Sequence, residues 1–101
     1  MSAPVEIPLS IAVDHPAFAG HFPGAPVVPG VVLLDEAMFA IGAATGIARN
    51  RVAWAKFLRP VRPGEALVVR FSVDAGGAVG FEIATGVHKV ATGRLLVAPA
   101  P

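Results

Sequence analysis

The sequence predicts an α+β fold in which an antiparallel β-sheet wraps around one long, buried central α-helix. The helix is predicted from residue 31 to about residue 44, where no helix breaker precedes Gly42 and apolar residues lie on almost every side. The sheet is predicted from the period-two alternation of residues 67–74, which a short glycine-containing turn joins to a second such segment. A helix that is apolar all round must be covered all round, so the sheet needs a second layer beyond the helix.

The remaining elements follow in chain order. Loose alternation predicts a first strand over residues 5–13, and seven of the fifteen residues from 16 to 30 are proline or glycine, which excludes regular structure there. Pro29 and Gly30 then stand at the helix start, where a missing or spare N–H is tolerated. Further strands are predicted over residues 51–58, 67–74, 79–85 and 90–98, with a tight connection near Val87 and His88. We expect residues 1–101 to form a single domain.

Composition predicts an oligomer. Hydrophobic residues make up 54% of the chain and charged residues only 15%, whereas a soluble domain is typically about 25% charged. A domain of this size buries roughly two-thirds of its unfolded surface. We therefore expect another copy of the chain to cover part of the apolar surplus, which makes the protein a homo-oligomer.

Composition also excludes several classes of protein. The absence of cysteine rules out a disulfide scaffold, a thiolate zinc site and a cysteine nucleophile, and it fits a cytoplasmic location. A net charge of +1 argues against nucleic-acid binding. The N-terminal residues do not have the pattern of a signal peptide. The most apolar run contains Asp35 and Glu36 and is shorter than the ~20 residues of a membrane span, so we expect a soluble protein.

Residues 20–35, with the sequence GHFPGAPVVPGVVLLD, combine groups suited to proton transfer. His21 lies in a rigid proline- and glycine-rich loop and titrates near neutral pH, so it is a candidate general base. Asp35 lies one turn into the apolar helix, where burial would favour a protonated carboxyl that can act as an acid. The free N–H of Gly30 at the helix start can polarise a carbonyl oxygen, and a residue without a Cβ allows close approach to its backbone.

At these residues the chain resembles a known family. The pattern G-H-F-P-G-x-P-V-x-P-G-V, followed by a helical carboxylate, is similar to the β-hydroxyacyl-(acyl-carrier-protein) dehydratases of bacterial fatty-acid synthesis, the FabA/FabZ family. The similarity continues through residues 57–65, FLRPVRPGE, and covers nearly the whole chain from about residue 7. The resemblance implies the hotdog fold, in which an antiparallel sheet wraps a long central helix.

The resemblance also implies a reaction, the dehydration of (3R)-3-hydroxyacyl thioesters to trans-2-enoyl thioesters. His21 would remove the C2 proton, the Gly30 N–H would stabilise the enolate-like oxygen, and Asp35 of the other subunit in a homodimer would protonate the departing hydroxyl. No metal or organic cofactor is implied, because the phosphopantetheine arm belongs to the acyl carrier protein. The residues placed around the substrate, in addition to Gly30, are Phe22, Val31, Met38 and Phe39.

Several alternatives stay open at this point. FabZ-type members have glutamate at the position of Asp35, whereas FabA-type members have aspartate and also isomerise the double bond. Residues 18–21 and 33–36 look closer to small dehydratases of aryl polyene and other specialised lipid pathways. A hotdog thioesterase would use Asp35 to activate water, and a non-catalytic chain would complete a heterodimeric dehydratase. The acyl chain length, and the choice between a carrier protein and coenzyme A, are not determined by the sequence.

The distribution of charge gives one further hypothesis. Residues 37–64 contain five basic residues and no acidic ones. This run is either an ordinary solvated strand edge or a docking patch for an acidic carrier protein and the phosphate of its prosthetic arm, where complementary charge speeds association. The five basic residues are Arg49, Arg51, Lys56, Arg59 and Arg62.

Overall fold

The computed structural model describes residues 5–9, 28–46, 50–62 and 64–97, which contain one helix and five strands. The strands form an antiparallel sheet in the order β1-β3-β4-β5-β2, as the α+β prediction required. Residues 10–13 of the predicted first strand lie outside the described residues. The elements are β1 (Val5–Leu9), α1 (Gly30–Thr45), β2 (Asn50–Phe57), β3 (Leu67–Val73), β4 (Val79–Thr85) and β5 (His88–Val97).

The last hairpin is tighter than predicted. Thr85 pairs with His88, so β5 begins two residues before the predicted start and only Gly86 and Val87 form the turn. Gly86 has a φ of 59°, in the left-handed region that glycine enters without steric cost. A two-residue loop is the commonest hairpin connection, and the pairing of β4 with β5 is interrupted only by a register shift between Ile83 and Ala84.

The core lies between α1 and the inner face of the sheet, which is the face towards the helix. The helix contributes one buried stripe, and alternate residues of β3, β4 and β5 point towards it because side chains alternate across a strand. Ile41, Ile83 and Leu95 are fully buried at its centre. The buried residues of the helix are Val32, Leu33, Ala37 and Ile41.

The opposite side of α1 is exposed in the single chain, so the prediction that the helix is buried on every side is wrong for one copy. Val31 is 63% exposed and Phe39 is 77% exposed, and the exposed Asp35 lies between them. These three residues, four apart in sequence, form what we call the exposed helix face. The physical reason is that the sheet forms only one layer. Among the described residues, no helix is long and apolar enough to cross a membrane.

Strand β2 is at the edge of the sheet and contains a β-bulge. Val52 pairs with Leu95, but the next pair is Trp54 with Arg94, so Ala53 is an extra residue. In a regular strand Val52 and Trp54 would share a face. The bulge instead turns Trp54 to the outer face of the sheet, away from the helix, and turns Phe57 inward.

The outer face of the sheet carries ion pairs. Arg70 donates to Glu6 across β1 at 2.6 Å and to Glu82 across β4 at 3.1 Å, and these hydrogen bonds raise its pKa. In the β3–β4 turn, Asp74 accepts from Arg94 and from two backbone N–H groups. The Arg94 guanidinium and those N–H groups hold the pKa of Asp74 below its ordinary value. Both clusters tie neighbouring strands together at the surface.

The two strand glycines Gly93 and Gly80 provide a matched test of the packing. A Cβ at Gly93 would lie 2.5 Å from Cζ of Phe81 and 2.8 Å from the carbonyl oxygen of Trp54, whereas a Cβ at Gly80 meets nothing within 4 Å. We expect Gly93→Ala to lower the free energy of unfolding by about 1–3 kcal/mol, because overpacking forces backbone to shift. Gly80→Ala should change it by less than about 1 kcal/mol. Urea denaturation measures both, and equal stabilities for the two variants would contradict the packing described.

Candidate active site

At the start of α1, one backbone donor has no acceptor among the described residues. Pro29 precedes the helix without a side-chain cap, and its carbonyl oxygen accepts from the N–H groups of Val32 at 3.0 Å and Leu33 at 3.3 Å. The N–H of Gly30 has no acceptor among the described residues. A free N–H at the positive end of a helix is suited to binding a carbonyl oxygen that gains negative charge.

A groove of about 440 Å³ leads to this donor. Two backbone hydrogen bonds hold its walls, from the Val28 N–H to the Val61 carbonyl at 2.7 Å and from the Leu58 N–H to the Val90 carbonyl at 2.8 Å. These bonds tie the segment after β2 to the residues before α1 and to β5. The groove is lined by Val28, Gly30, Leu33, Phe57, Leu58, Arg59, Pro60 and Val61.

The space beside the Gly30 Cα is occupied by the side chain of Phe57. A Cβ built on Gly30 would lie 2.7 Å from Cζ of that ring and 2.9 Å from Cε1. The chain's own ring therefore fills the space that a Cβ on Gly30 would take, and the approach of a substrate to the Gly30 backbone stays a prediction. Phe57 is not among the predicted site residues. The available signal was its place as the first residue of the family-like segment 57–65, but the bulge that turns it inward is not visible in the alternation.

Asp35 lies on a different side of the helix from the groove. Its side chain is exposed and makes no hydrogen bond or ion pair with the residues that the structure describes. Leu33, which lines the groove, precedes Asp35 by two residues, so the two side chains point about 200° apart around the helix. The groove beside Gly30 and the Asp35 side chain of the same chain therefore lie on different sides of the helix.

The other predicted site residues have mixed positions. Val31 and Phe39 flank Asp35 on the exposed helix face, and Met38 is partly buried against the core. Their assignment to an acyl tunnel stays a prediction. His21 and Phe22 lie outside the described residues. Within the described ranges, no three acidic or histidine side chains converge to hold a metal ion.

Comparison of the whole structure places it among hotdog folds. A chain of the dehydratase heterocomplex ApeI:P from Xenorhabdus doucetiae superposes with a TM-score of 0.78 at 24% identity, covering 95% of this chain and 88% of that one. The fluoroacetyl-CoA thioesterase FlK superposes with a TM-score of 0.69 at 13% identity, covering 97% of this chain and 87% of FlK. At these identities the comparison shows the fold, which is the one that the resemblance implied.

Sequence comparison then identifies the family. The family model described as ApeI-like, ApeI dehydratase, matches residues 2–94, and the chain belongs to this family. The 3-hydroxyacyl-[acyl-carrier-protein] dehydratase FabZ of Chlamydia trachomatis serovar L2 is 37% identical over an alignment that is 101 positions long, gaps included. That alignment covers 85% of this chain and 66% of the relative, so the chain spans just under two-thirds of the relative's length.

The contact between Gly30 and Phe57 is testable without any substrate. Gly30→Ala should lower the free energy of unfolding in the presence of Phe57, because the new Cβ would lie 2.7 Å from its ring. In a Phe57→Ala background the same substitution should cost much less, with a coupling of about 0.5–3 kcal/mol between the two positions. A double-mutant cycle measured by chemical denaturation gives the coupling, and additive effects would show that the two residues do not touch.

Proposed function

We propose that the protein dehydrates (3R)-3-hydroxyacyl thioesters carried on an acyl carrier protein. The observation that carries this proposal is the Gly30 N–H, which has no backbone acceptor among the described residues and lies at the end of a groove, on a helix that also bears Asp35, in a chain of the ApeI-like dehydratase family. The 37% identity to a FabZ dehydratase supports the same reaction.

Each group has one task in the proposed reaction. The Gly30 N–H donates to the thioester carbonyl oxygen and stabilises the negative charge that develops there. His21 accepts the proton from C2, and the electron pair of that C–H bond forms the double bond to C3. The C3–O bond breaks as Asp35 donates a proton to the hydroxyl. The products are one trans-2-enoyl thioester and one water.

A second copy of the chain would complete the site. Asp35 points about 200° away from the groove residue Leu33, so the carboxylate at a given groove comes from a partner in this proposal. The exposed helix face supports it, since Val31 and Phe39 are 63% and 77% exposed in a single copy. Another copy that covered these two side chains would also cover Asp35, which lies between them on the exposed helix face. The proposed assembly is a homodimer with two shared sites.

The described charges support a carrier protein as the substrate's bearer. Arg70, Lys89 and Arg94 are ion-paired on the outer face of the sheet. The remaining described basic side chains have no acidic partner within the described residues, and Arg59 among them lines the groove. Unpaired positive charge beside the groove suits an acidic partner and the phosphate of its arm. These side chains are Arg51, Lys56, Arg59 and Arg62, while Arg49 lies outside the described residues.

Turnover of 3-hydroxyacyl-carrier-protein substrates, both short aliphatic and polyene, tests the proposal. Mass spectrometry should show the wild type removing one water from the intact thioester. His21→Ala and Asp35→Asn should each lower the rate at least ~10²-fold, the usual effect of losing a general base or acid. Glu36→Gln is the matched control, since it neutralises the neighbouring carboxylate, which points about 100° away from Asp35.

Other outcomes would change the assignment. Release of free acid and a thiol would identify a thioesterase instead. A folded wild type that acts on no substrate and forms no homodimer in native mass spectrometry would identify a subunit that needs a different partner. Full activity in Asp35→Asn would remove Asp35 from the mechanism.

A further inference from the structure

We propose that Phe57 determines which acyl groups this site accepts, by limiting the bulk at C2 of the thioester. The inference rests on the proposed function, because it takes the Gly30 N–H as the group that binds the thioester carbonyl. It adds a residue outside the loop motif of residues 20–35 and a property of the substrate that the reaction alone does not specify.

The β-bulge in β2 brings the Phe57 ring to the start of α1. The extra residue Ala53 changes the facing of β2, so that Phe57 points towards the helix while Trp54 points to the outer face. Bulges often lie beside active sites, where they redirect a side chain. Phe57 then lies against the helix start, with its Cζ 2.7 Å from the position that a Cβ on Gly30 would occupy.

The Phe57 ring would lie close to the atoms on either side of the thioester carbonyl. A carbonyl oxygen bound to the Gly30 N–H holds its carbon, and the two atoms bonded to that carbon, within a few ångströms of the ring. One of those atoms is the thioester sulfur, which every substrate shares. The other is C2, which carries two hydrogens in an unbranched acyl group and a methyl group in a branched one. The ring therefore discriminates at C2.

The residues that line the groove differ in how they are held in place. Val28, Leu58 and Val61 are held through backbone hydrogen bonds, so their positions depend little on their side chains. Phe57 is a terminal ring that is 49% exposed, and shortening its side chain opens the groove without removing a backbone contact. Phe57 is therefore the lining residue whose substitution can widen the groove.

The test compares 3-hydroxybutyryl and 2-methyl-3-hydroxybutyryl groups on the same carrier protein. The methylated substrate keeps one hydrogen at C2, so it can still lose water. In Phe57→Ala the ratio of kcat/KM for the branched substrate to that for the unbranched one should rise at least about tenfold, the scale at which a pocket discriminates one methyl group. Phe57→Leu, which keeps more of the apolar packing, should give a smaller rise in the same direction.

Trp54→Ala is the matched control, because Trp54 lies on the same strand, is also 49% exposed and faces the other side of the sheet. Its ratio should equal that of the wild type. A ratio that stays within about twofold of wild type in both folded Phe57 variants would overturn the proposal, since one methyl group in a pocket is usually worth more. An equal rise in Trp54→Ala would overturn it as well.

A binding measurement separates this proposal from the proposed reaction. Pantetheine analogues in which an amide replaces the thioester, with a butyryl or a 2-methylbutyryl group, cannot be dehydrated. Titration of each, followed at the Gly30 amide by nuclear magnetic resonance, should show the branched analogue binding relatively better in Phe57→Ala than in the wild type. If the wild type turns over no substrate, that shift still supports the role of Phe57, and unchanged relative affinities refute it.

Discussion

The central helix has apolar residues on both sides, and a single sheet can bury only one of them. Val32, Leu33, Ala37 and Ile41 pack against the sheet, while Val31 and Phe39 stay exposed beside Asp35. Exposed large apolar groups of this kind usually mark an interaction surface. The groove and the Asp35 carboxylate are separated for the same reason. Residues on the sheet side of a helix cannot point in the same direction as residues on its far side. Packing therefore leaves one side of the helix uncovered in a single copy, and this is the side that carries Asp35.

A second constraint is the β-bulge in β2, the strand at one edge of the sheet. The extra residue Ala53 in β2 determines which side chains at the end of this strand face the helix. It therefore determines that the Phe57 ring lies against Gly30. Glycine at the helix start is then required by packing. The groove, the donor and the ring that borders them form one unit, in which edge-strand geometry controls the shape of the site. A substitution that removed the bulge would disturb the site from several residues away.

Much of this architecture could be predicted from the sequence. The periodicity of residues 67–74 and 79–85 matches β3 and β4 to within one residue, and the breaker-free run after Pro29 matches α1, because both signals come from local patterning. The bulge at Ala53 could not be predicted, since it depends on the register with β5. The Phe57–Gly30 contact could not be predicted either, because it joins residues 27 apart in sequence. The excess of apolar residues correctly indicated uncovered surface, but composition did not show that it lies around Asp35.

In the proposed homodimer, each active site takes His21 from one copy and Asp35 from the other. Co-expression of His21→Ala and Asp35→Asn chains with different affinity tags allows the mixed dimer to be isolated. In that dimer one site has both substitutions and the other has neither, so the account predicts about half of the wild-type dehydration rate from two nearly inactive parents. A mixed dimer that is no more active than its parents would contradict it, because each site would then be contained within a single chain.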